Sequence, residues 1–195
     1  IDEKRFQTAL EKNQLDGLLA SSLKTVTYVS NFDCLSHNFV GSGGAIAILP
    51  GGNSNAKTLV IPSWEIDQYF ETKGWDGEVR VYGDFYVSVS NEELSFYEQK
   101  VKEFKENFSN HPSPVDAVAA AINDGGLSGS RVGIETKDLK SSFIKELEER
   151  LPNCTFIEAD HVWRWMTSVK SPMEVELLRQ AASINTQAMR SIREI

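Results

Sequence analysis

Apolar positions in this chain fall into short continuous runs separated by stripes at helical spacing, and the two alternate along most of its length. Phe6, Ala9 and Leu10 form a stripe behind Asp2, a good capping residue, so a first helix ending near Asn13 and Gln14 is predicted. Residues 15–21 then read as a short buried strand, and 22–31 as a short helix carrying Val26 and Val29. Residues 45–49 and 58–61 are apolar runs separated by Pro50, Gly51, Gly52, Asn53, Ser54 and Asn55, which predicts a β-hairpin with a longer loop. Pro62 or Ser63 opens a helix with Trp64, Ile66, Asp67 and Phe70, closed by Gly74.

Residues 79–82 and 86–89 look extended around Gly83 and Asp84. Asn91 and Glu93 start a helix with the stripe Leu94, Tyr97, Val101, Phe104 and Phe108. Ser113, Pro114, Val115 and Asp116 cap another, with Val118, Ala119 and Ile122 on its apolar face and Gly125 and Gly126 at its end. Residues 131–135 predict a strand, 138–151 a helix with Leu139, Phe143, Leu147 and Leu151, and 155–158 the last strand. This order predicts an α/β fold, a mixed sheet with helices covering both faces.

The C-terminal stretch predicts a short turn of helix, a hinge and a long helix. Ser171 caps the long helix, Pro172 suits its first turn and Glu174 completes a Ser-x-x-Glu capping box. Leu177, Ala181, Ile184, Ala188 and Ile192 make one apolar stripe, and Val175, Leu178, Ala182 and Met189 a second beside it. Two stripes predict packing on more than one side, and the pattern is still running at Ile195, as expected of a helix that opens a further domain.

A length of 195 residues suits one buried core with a piece of a second. The net charge of -8, without a basic patch, argues against nucleic-acid binding. No apolar run approaches the roughly 20 residues that cross a bilayer, so no membrane partner is expected. Two cysteines, Cys34 and Cys154, stand far apart and outside any Cys-x-x-Cys pair, which reads as a reducing compartment or simply as no disulfide framework; a cytoplasmic location is the default expectation. The chain begins at Ile1 rather than Met, which leaves a removed leader open.

Candidate chemistry is sparse. His37, His111 and His161 have no convergent ligand spacing, so no metal site is expected among them. His161 reads as a turn residue with Asp160 as a helix cap, and His111, before a proline, as a solvated loop residue. Cys34 near His37 is a thiol/imidazole pair only by sequence closeness. Gly41, Ser42, Gly43 and Gly44 precede a strand, the wrong context for a phosphate loop. The segment from Gly126 to Gly129 is too short for a serine-hydrolase elbow. The irregular stretch from Asp33 to Gly44 is the remaining candidate; its bland reading is a surface loop fixed by Phe32 and Phe39 in the core.

The junction running from Phe156 through Asp160, Trp163, Arg164 and Trp165 to Lys170-Ser171-Pro172-Met173-Glu174-Val175-Glu176-Leu177-Leu178-Arg179-Gln180-Ala181-Ala182 resembles that of the creatinase, prolidase and aminopeptidase P family. Asp16-Gly17-Leu18-Leu19-Ala20-Ser21, Tyr28-Val29-Ser30-Asn31-Phe32 and Arg131-Val132-Gly133-Ile134-Glu135 extend the resemblance in the family's order. The motif departs from the commonest form at Met173 to Glu176, leaving cap and stripe intact.

The resemblance implies a ribonuclease-H-like sheet of about six strands and a domain over residues 1–165. Residues 166–195 would be the linker helix and start of a pita-bread catalytic domain. It implies a homodimer whose irregular loop, here His37, Asn38 and Phe39, reaches the neighbouring subunit's active site to recognise a peptide or small-molecule substrate. Two divalent metal ions (Mn, Co or Zn) would be held by two aspartates, a histidine and two glutamates in the catalytic domain, not in this chain. The parent protein is then expected to cut Xaa-Pro bonds, with this stretch contributing assembly and a pocket wall but no catalytic residue. Two alternatives stay open: a protein-binding module, as in histone-chaperone homologues, and the N-terminal domain of a creatinase-like C–N hydrolase of a small metabolite. Trp163 and Trp165 read as packing at the junction.

Overall fold

The computed structural model describes residues 2–40, 44–52, 56–72, 74–84, 94–107 and 110–193. In chain order its strands are β1 (Gly17–Ala20), β2 (Ile46–Pro50), β3 (Thr58–Pro62), β4 (Glu78–Tyr82), β5 (Asn110–His111), β6 (Arg131–Ile134) and β7 (Thr155–Glu158). The helices are α1 (Glu3–Asn13), α2 (Leu23–Ser30), α3 (Ser36–Val40), α4 (Ile66–Glu71), α5 (Phe96–Asn107), α6 (Pro114–Asp124), α7 (Ser141–Arg150), α8 (Asp160–Ser168) and α9 (Pro172–Arg193). A 3-10 turn, Ser63–Glu65, leads into α4.

One mixed sheet runs β5-β4-β3-β2-β1-β6-β7, seven strands where about six were expected, the addition being the two-residue β5. β1 pairs antiparallel with β2 and parallel with β6, so the sheet changes sense at its central strand. β2 runs antiparallel to β3, while β3–β4, β4–β5 and β6–β7 are parallel. The inner order β3-β2-β1-β6-β7, three strands joined antiparallel and then two parallel, is the ribonuclease-H-like arrangement.

Both sheet faces are covered, which explains strands that are apolar throughout instead of alternating with polar residues. Leu18, Ala20, Ala47, Leu49, Leu59 and Ile61 face α1, α2, α4, α5 and α8, with Phe6, Val26, Ile66, Phe104 and Trp163 packed over them. Leu19, Ile46, Ile48 and Val60 face the other way, under Val118 and Ile122 of α6 and Phe143 and Leu147 of α7. Gly133 marks a close approach: a Cβ there would stand 2.6 Å from Leu18 Cδ2 and 2.7 Å from Leu15 Cδ1.

The predicted caps at Asp2 and Ser113 form, and Ser22 adds one that was not predicted. Asp2, Ser22 and Ser113 accept from the first turns of α1, α2 and α6, and Gln14 and Asn31 close α1 and α2 in the left-handed conformation. At α9 both halves of the capping box are made, Ser171 N to Glu174 Oε2 at 2.8 Å and Glu174 N to Ser171 Oγ at 3.2 Å. Asp160 differs from expectation. It stands inside α8, and its carboxylate receives Thr136 N (2.8 Å) and Thr136 Oγ1 (3.0 Å) from the turn after β6. The long helix expected from residue 138 starts at Ser141. The segment at 86–89, the start at Asn91 and Glu93, and Phe108 lie outside the described residues, as do Gly41, Ser42, Gly43, Asn53, Ser54 and Asn55.

Arg5 of α1 fastens the exit from the domain. Its Nη1 donates to Met166 O at 3.0 Å and also to Val169 O, so a cation closes the carbonyl end of α8. Beyond this point residues 176–192 are exposed along their whole run, and both predicted stripes, including Leu177, Leu178, Ile184, Met189 and Ile192, are bare. No helix among the described residues is long and apolar enough to cross a membrane.

A buried carboxylate, Glu135, follows the end of β6; it receives the backbone N–H groups of Ser21 and Ser22. Replacing it by alanine strands those donors in a dry site, so Glu135→Ala should cost roughly 3 kcal/mol. Thermal unfolding should report this as a fall in Tm on the order of 10 °C.

Candidate functional site

The irregular stretch singled out in the sequence lies beside the carboxyl ends of β1 and β6. In α/β sheets this end, at the point where strand order changes sense, is where loops converge on ligands. Glu135 organises it. Only 6% exposed, its carboxylate receives Ser21 N (2.9 Å), Ser22 N (2.8 Å), Ser22 Oγ (2.9 Å) and Thr25 Oγ1. These are the donors of the first turn of α2, where a negative charge is favoured by the helix dipole.

His37 joins this knot from α3. Its Nε2 stands 2.8 Å from Ser21 O, and because a carbonyl can only accept, Nε2 carries the proton. Nδ1 is buried and has no hydrogen-bond partner among the described residues. It faces Gly44, where a Cβ would come within 3.1 Å of Nδ1 and of Cys34 Sγ, so only glycine lets the chain pass. The ring is a half-buried brace between α3 and β1.

A second buried acid supports α3 from the other side. Glu65, in the turn after β3, receives Leu35 N at 3.1 Å, Ser36 N at 2.7 Å and Ser36 Oγ. Trp64 Nε1 donates to Ser36 Oγ at 2.8 Å, and Gln68 Nε2 to Asp33 O. Tyr82 closes the floor, donating its hydroxyl to Gly44 O at 2.7 Å; burial, with Cys34 and Glu65 nearby, raises its pKa and keeps it a donor.

From this seat the segment turns outward. Phe32 is fully buried, as the bland reading of the loop required, but Phe39 is 86% exposed, the most exposed large apolar side chain among the described residues. The reading of Phe39 as a core anchor is therefore corrected. Five residues of helix have no room to swing a side chain at that position back to the sheet while Ser36 and His37 are held. Leu35 and Trp64 add exposed apolar surface beside it.

Cys34 and His37 do come together around Gly44, but not as a nucleophilic pair. Burial, reinforced by the Glu65 carboxylate, pushes the Cys34 thiol up to about 12, so it stays protonated at neutral pH. His161 is exposed on α8 and meets Asn13 Oδ1 at 3.1 Å. His111, expected to be solvated, is half-buried in β5 opposite Tyr82, and burial with Arg80 nearby lowers its pKa. Among the described residues no group of three His, Cys, Asp or Glu converges as a metal site, so the implied metal ions have no seat there. Trp163 is buried with Nε1 donating to Leu19 O (3.3 Å), and Trp165 lies at the surface under Lys12 Nζ, 5.1 Å from the ring centre. At the opposite end of the sheet a groove of about 650 Å³ runs between Gln7, Gln14, Asp16, Gly51 and Gly126; it gathers none of the sequence candidates.

Sequence reasoning found the segment but not Glu65 or Glu135. Glu135 stood inside a quoted motif, and its position directly after an apolar strand was the available signal; Glu65 gave none.

Comparison with known proteins bears on this arrangement. The model of the Creatinase/Prolidase N-terminal domain matches residues 4–169. A search of curated proteins finds no match. Among solved structures, the prolidase from Pyrococcus horikoshii OT3 is similar at 22% identity with a TM-score of 0.57, over 99% of this chain and 42% of that one. The Xaa-Pro dipeptidase from Bacillus anthracis aligns at 15% identity, TM-score 0.63, over 97% of this chain and 41% of that one. A proline dipeptidase structure from Streptococcus pneumoniae TIGR4 aligns at 15% identity, TM-score 0.56, over 87% of this chain and 98% of that one. At these identities the structural likeness speaks for the fold. The chain spans less than half the length of the first two.

The thiols offer a direct check. Cys34 is fully buried and Cys154 only half-buried, with its Sγ 3.3 Å from Leu127 O. An aromatic disulfide reagent at neutral pH should titrate at most one thiol in the folded protein, at Cys154. The second should appear only in denaturant; rapid native labelling of Cys34 would contradict the packing described.

Proposed function

This chain belongs to the Creatinase/Prolidase N-terminal domain family, and on that premise we propose that it is the assembly and substrate-pocket domain of a metal-dependent Xaa-Pro peptidase. The observation that carries the reading is the family match over residues 4–169, with Phe39 projecting from the segment that the resemblance assigns to substrate recognition.

In this reading the domain occupies about residues 1–165, and residues 166–195 link it to a catalytic domain that covers the bare stripes of α9. That domain would hold two divalent ions (Mn, Co or Zn), which would activate water and polarise the scissile carbonyl. The present chain binds and orients. His37 braces α3 against β1, and Asn38 and Phe39 form an apolar-tipped wall on the neighbouring subunit's pocket. A phenyl ring held in water gains from covering part of a substrate, about 25 cal/mol for each Å² of apolar surface removed. The protein would act as a homodimer in the cytoplasm.

Two experiments test this. Sedimentation and an Xaa-Pro peptide assay with added manganese, cobalt or zinc should find the present chain dimeric and inactive; metal-dependent cleavage by this chain alone would overturn the assignment. In the parent enzyme, Phe39→Ala should raise KM by roughly fivefold, about 1 kcal/mol, with kcat nearly unchanged, because the contact is made equally in ground and transition states. A parent that cleaves no Xaa-Pro bond would favour the partner-holding alternative.

A further inference from the structure

We infer that Glu65 is the positioning residue of the substrate-facing segment, setting the angle at which α3 presents Phe39. The inference rests on the pocket-wall reading above and adds what controls that wall.

A helix of five residues cannot hold itself together, since nucleation fixes several residues for very few internal hydrogen bonds. Its first N–H groups also need partners from outside. Glu65 supplies them, taking Leu35 N and Ser36 N on its two carboxylate oxygens and Ser36 Oγ on the same oxygen as Ser36 N. The acid is itself immobile. It is 5% exposed and sits between Pro62, the last residue of β3, and Ile66 in the core. Trp64, from the same turn, and Gln68, from α4 directly after it, hold Ser36 Oγ and Asp33 O. The turn and the start of α4 therefore grip residues 33 to 36, the buried Cys34 thiol included through its contact with Glu65. The His37 bond to Ser21 O holds the far side. With residues 33 to 37 held from both sides, the start of α3 is fixed two residues before Phe39.

Charge and length both matter at position 65. Glutamine keeps the length but brings one N–H₂ against donors, so it can satisfy Leu35 N or the Ser36 pair, not both. Aspartate keeps the charge and falls short by one methylene.

The test joins amide exchange to kinetics. In this chain Glu65→Gln should speed exchange at the Leu35 and Ser36 amides at least tenfold, with β1 and β2 amides unchanged. In the parent enzyme E65Q should raise KM about fivefold with kcat within twofold, and E65Q combined with F39A should be no worse than F39A alone. Unchanged exchange at Leu35 and Ser36 would overturn the anchor itself. Faster exchange and an F39A effect on KM, without an E65Q effect, would overturn the positioning role alone. Faster exchange with KM unmoved in both variants would remove the pocket-wall reading and the positioning role with it. Should E65Q fail to fold, Trp64→Phe carries the test: it deletes one donor to Ser36 Oγ, so KM should rise about twofold, and an unchanged KM beside an active F39A effect counts against the proposal.

Discussion

The carboxylate of Glu135 is the constraint on which the rest of this domain depends. A buried acid is tolerated only where fixed donors replace the water it has lost. Here the donors are two backbone N–H groups and two hydroxyls from the start of α2. The arrangement works in both directions, because those N–H groups, at and just before the cap of α2, would otherwise be buried without a partner. One side chain at the end of β6 thus closes the connection between β1 and α2 and fixes the direction in which α2 leaves the sheet. Everything up to Phe32 inherits that direction.

Glu65 repeats the device one strand pair away, at the end of β3, for α3. Two buried acids, one for each helix start, hold the same edge of the sheet, and His37 ties their territories together through Ser21 O. The cost falls on Cys34, whose thiol is enclosed between apolar packing and a carboxylate and so loses its reactivity. A cluster of Cys, His, Glu and Tyr that resembles a reactive centre in composition is, by its geometry, scaffolding. Reactivity would need a solvent-facing thiolate; this edge has a buried thiol, an orphaned imidazole nitrogen and two satisfied carboxylates.

Local signals were legible in the sequence where local physics decides. The caps at Asp2, Ser113 and Ser171 are read from three or four neighbouring residues, and each forms as expected. The β2–β3 hairpin followed from its turn residues. Glu135 and Glu65 were not legible because their partners lie 114 and 29 positions away and are backbone groups, which leave no trace in residue type. Asp160 was misread for the same reason: its nearest helix was the obvious partner, yet Thr136 across the sheet took the carboxylate. His111 shows the reverse limit, since a two-residue strand has too little pattern to announce itself. The candidate segment was found by its irregularity, and its resemblance to the family supplied the residues. Which of them faces water depended on contacts that no spacing rule describes.

The domain's two exposed apolar features make sense together. Phe39 and the stripes of α9 are large apolar surfaces left in water on a chain that otherwise buries its sheet on both faces. Isolated apolar residues at a surface need no explanation, but a bare run along residues 176–192 and a phenyl on a rigid pedestal are costly to keep without an occupant. Rigidity distinguishes the two. The start of α9 is held by its capping box and by the Arg5 clamp just before it, whereas residues 176–192 are exposed throughout. The start of α3, two residues before Phe39, is instead fixed by Glu65 and His37. A surface that is preorganised in this way spends little ordering entropy on contact. That is what the proposed role of a pocket wall would require.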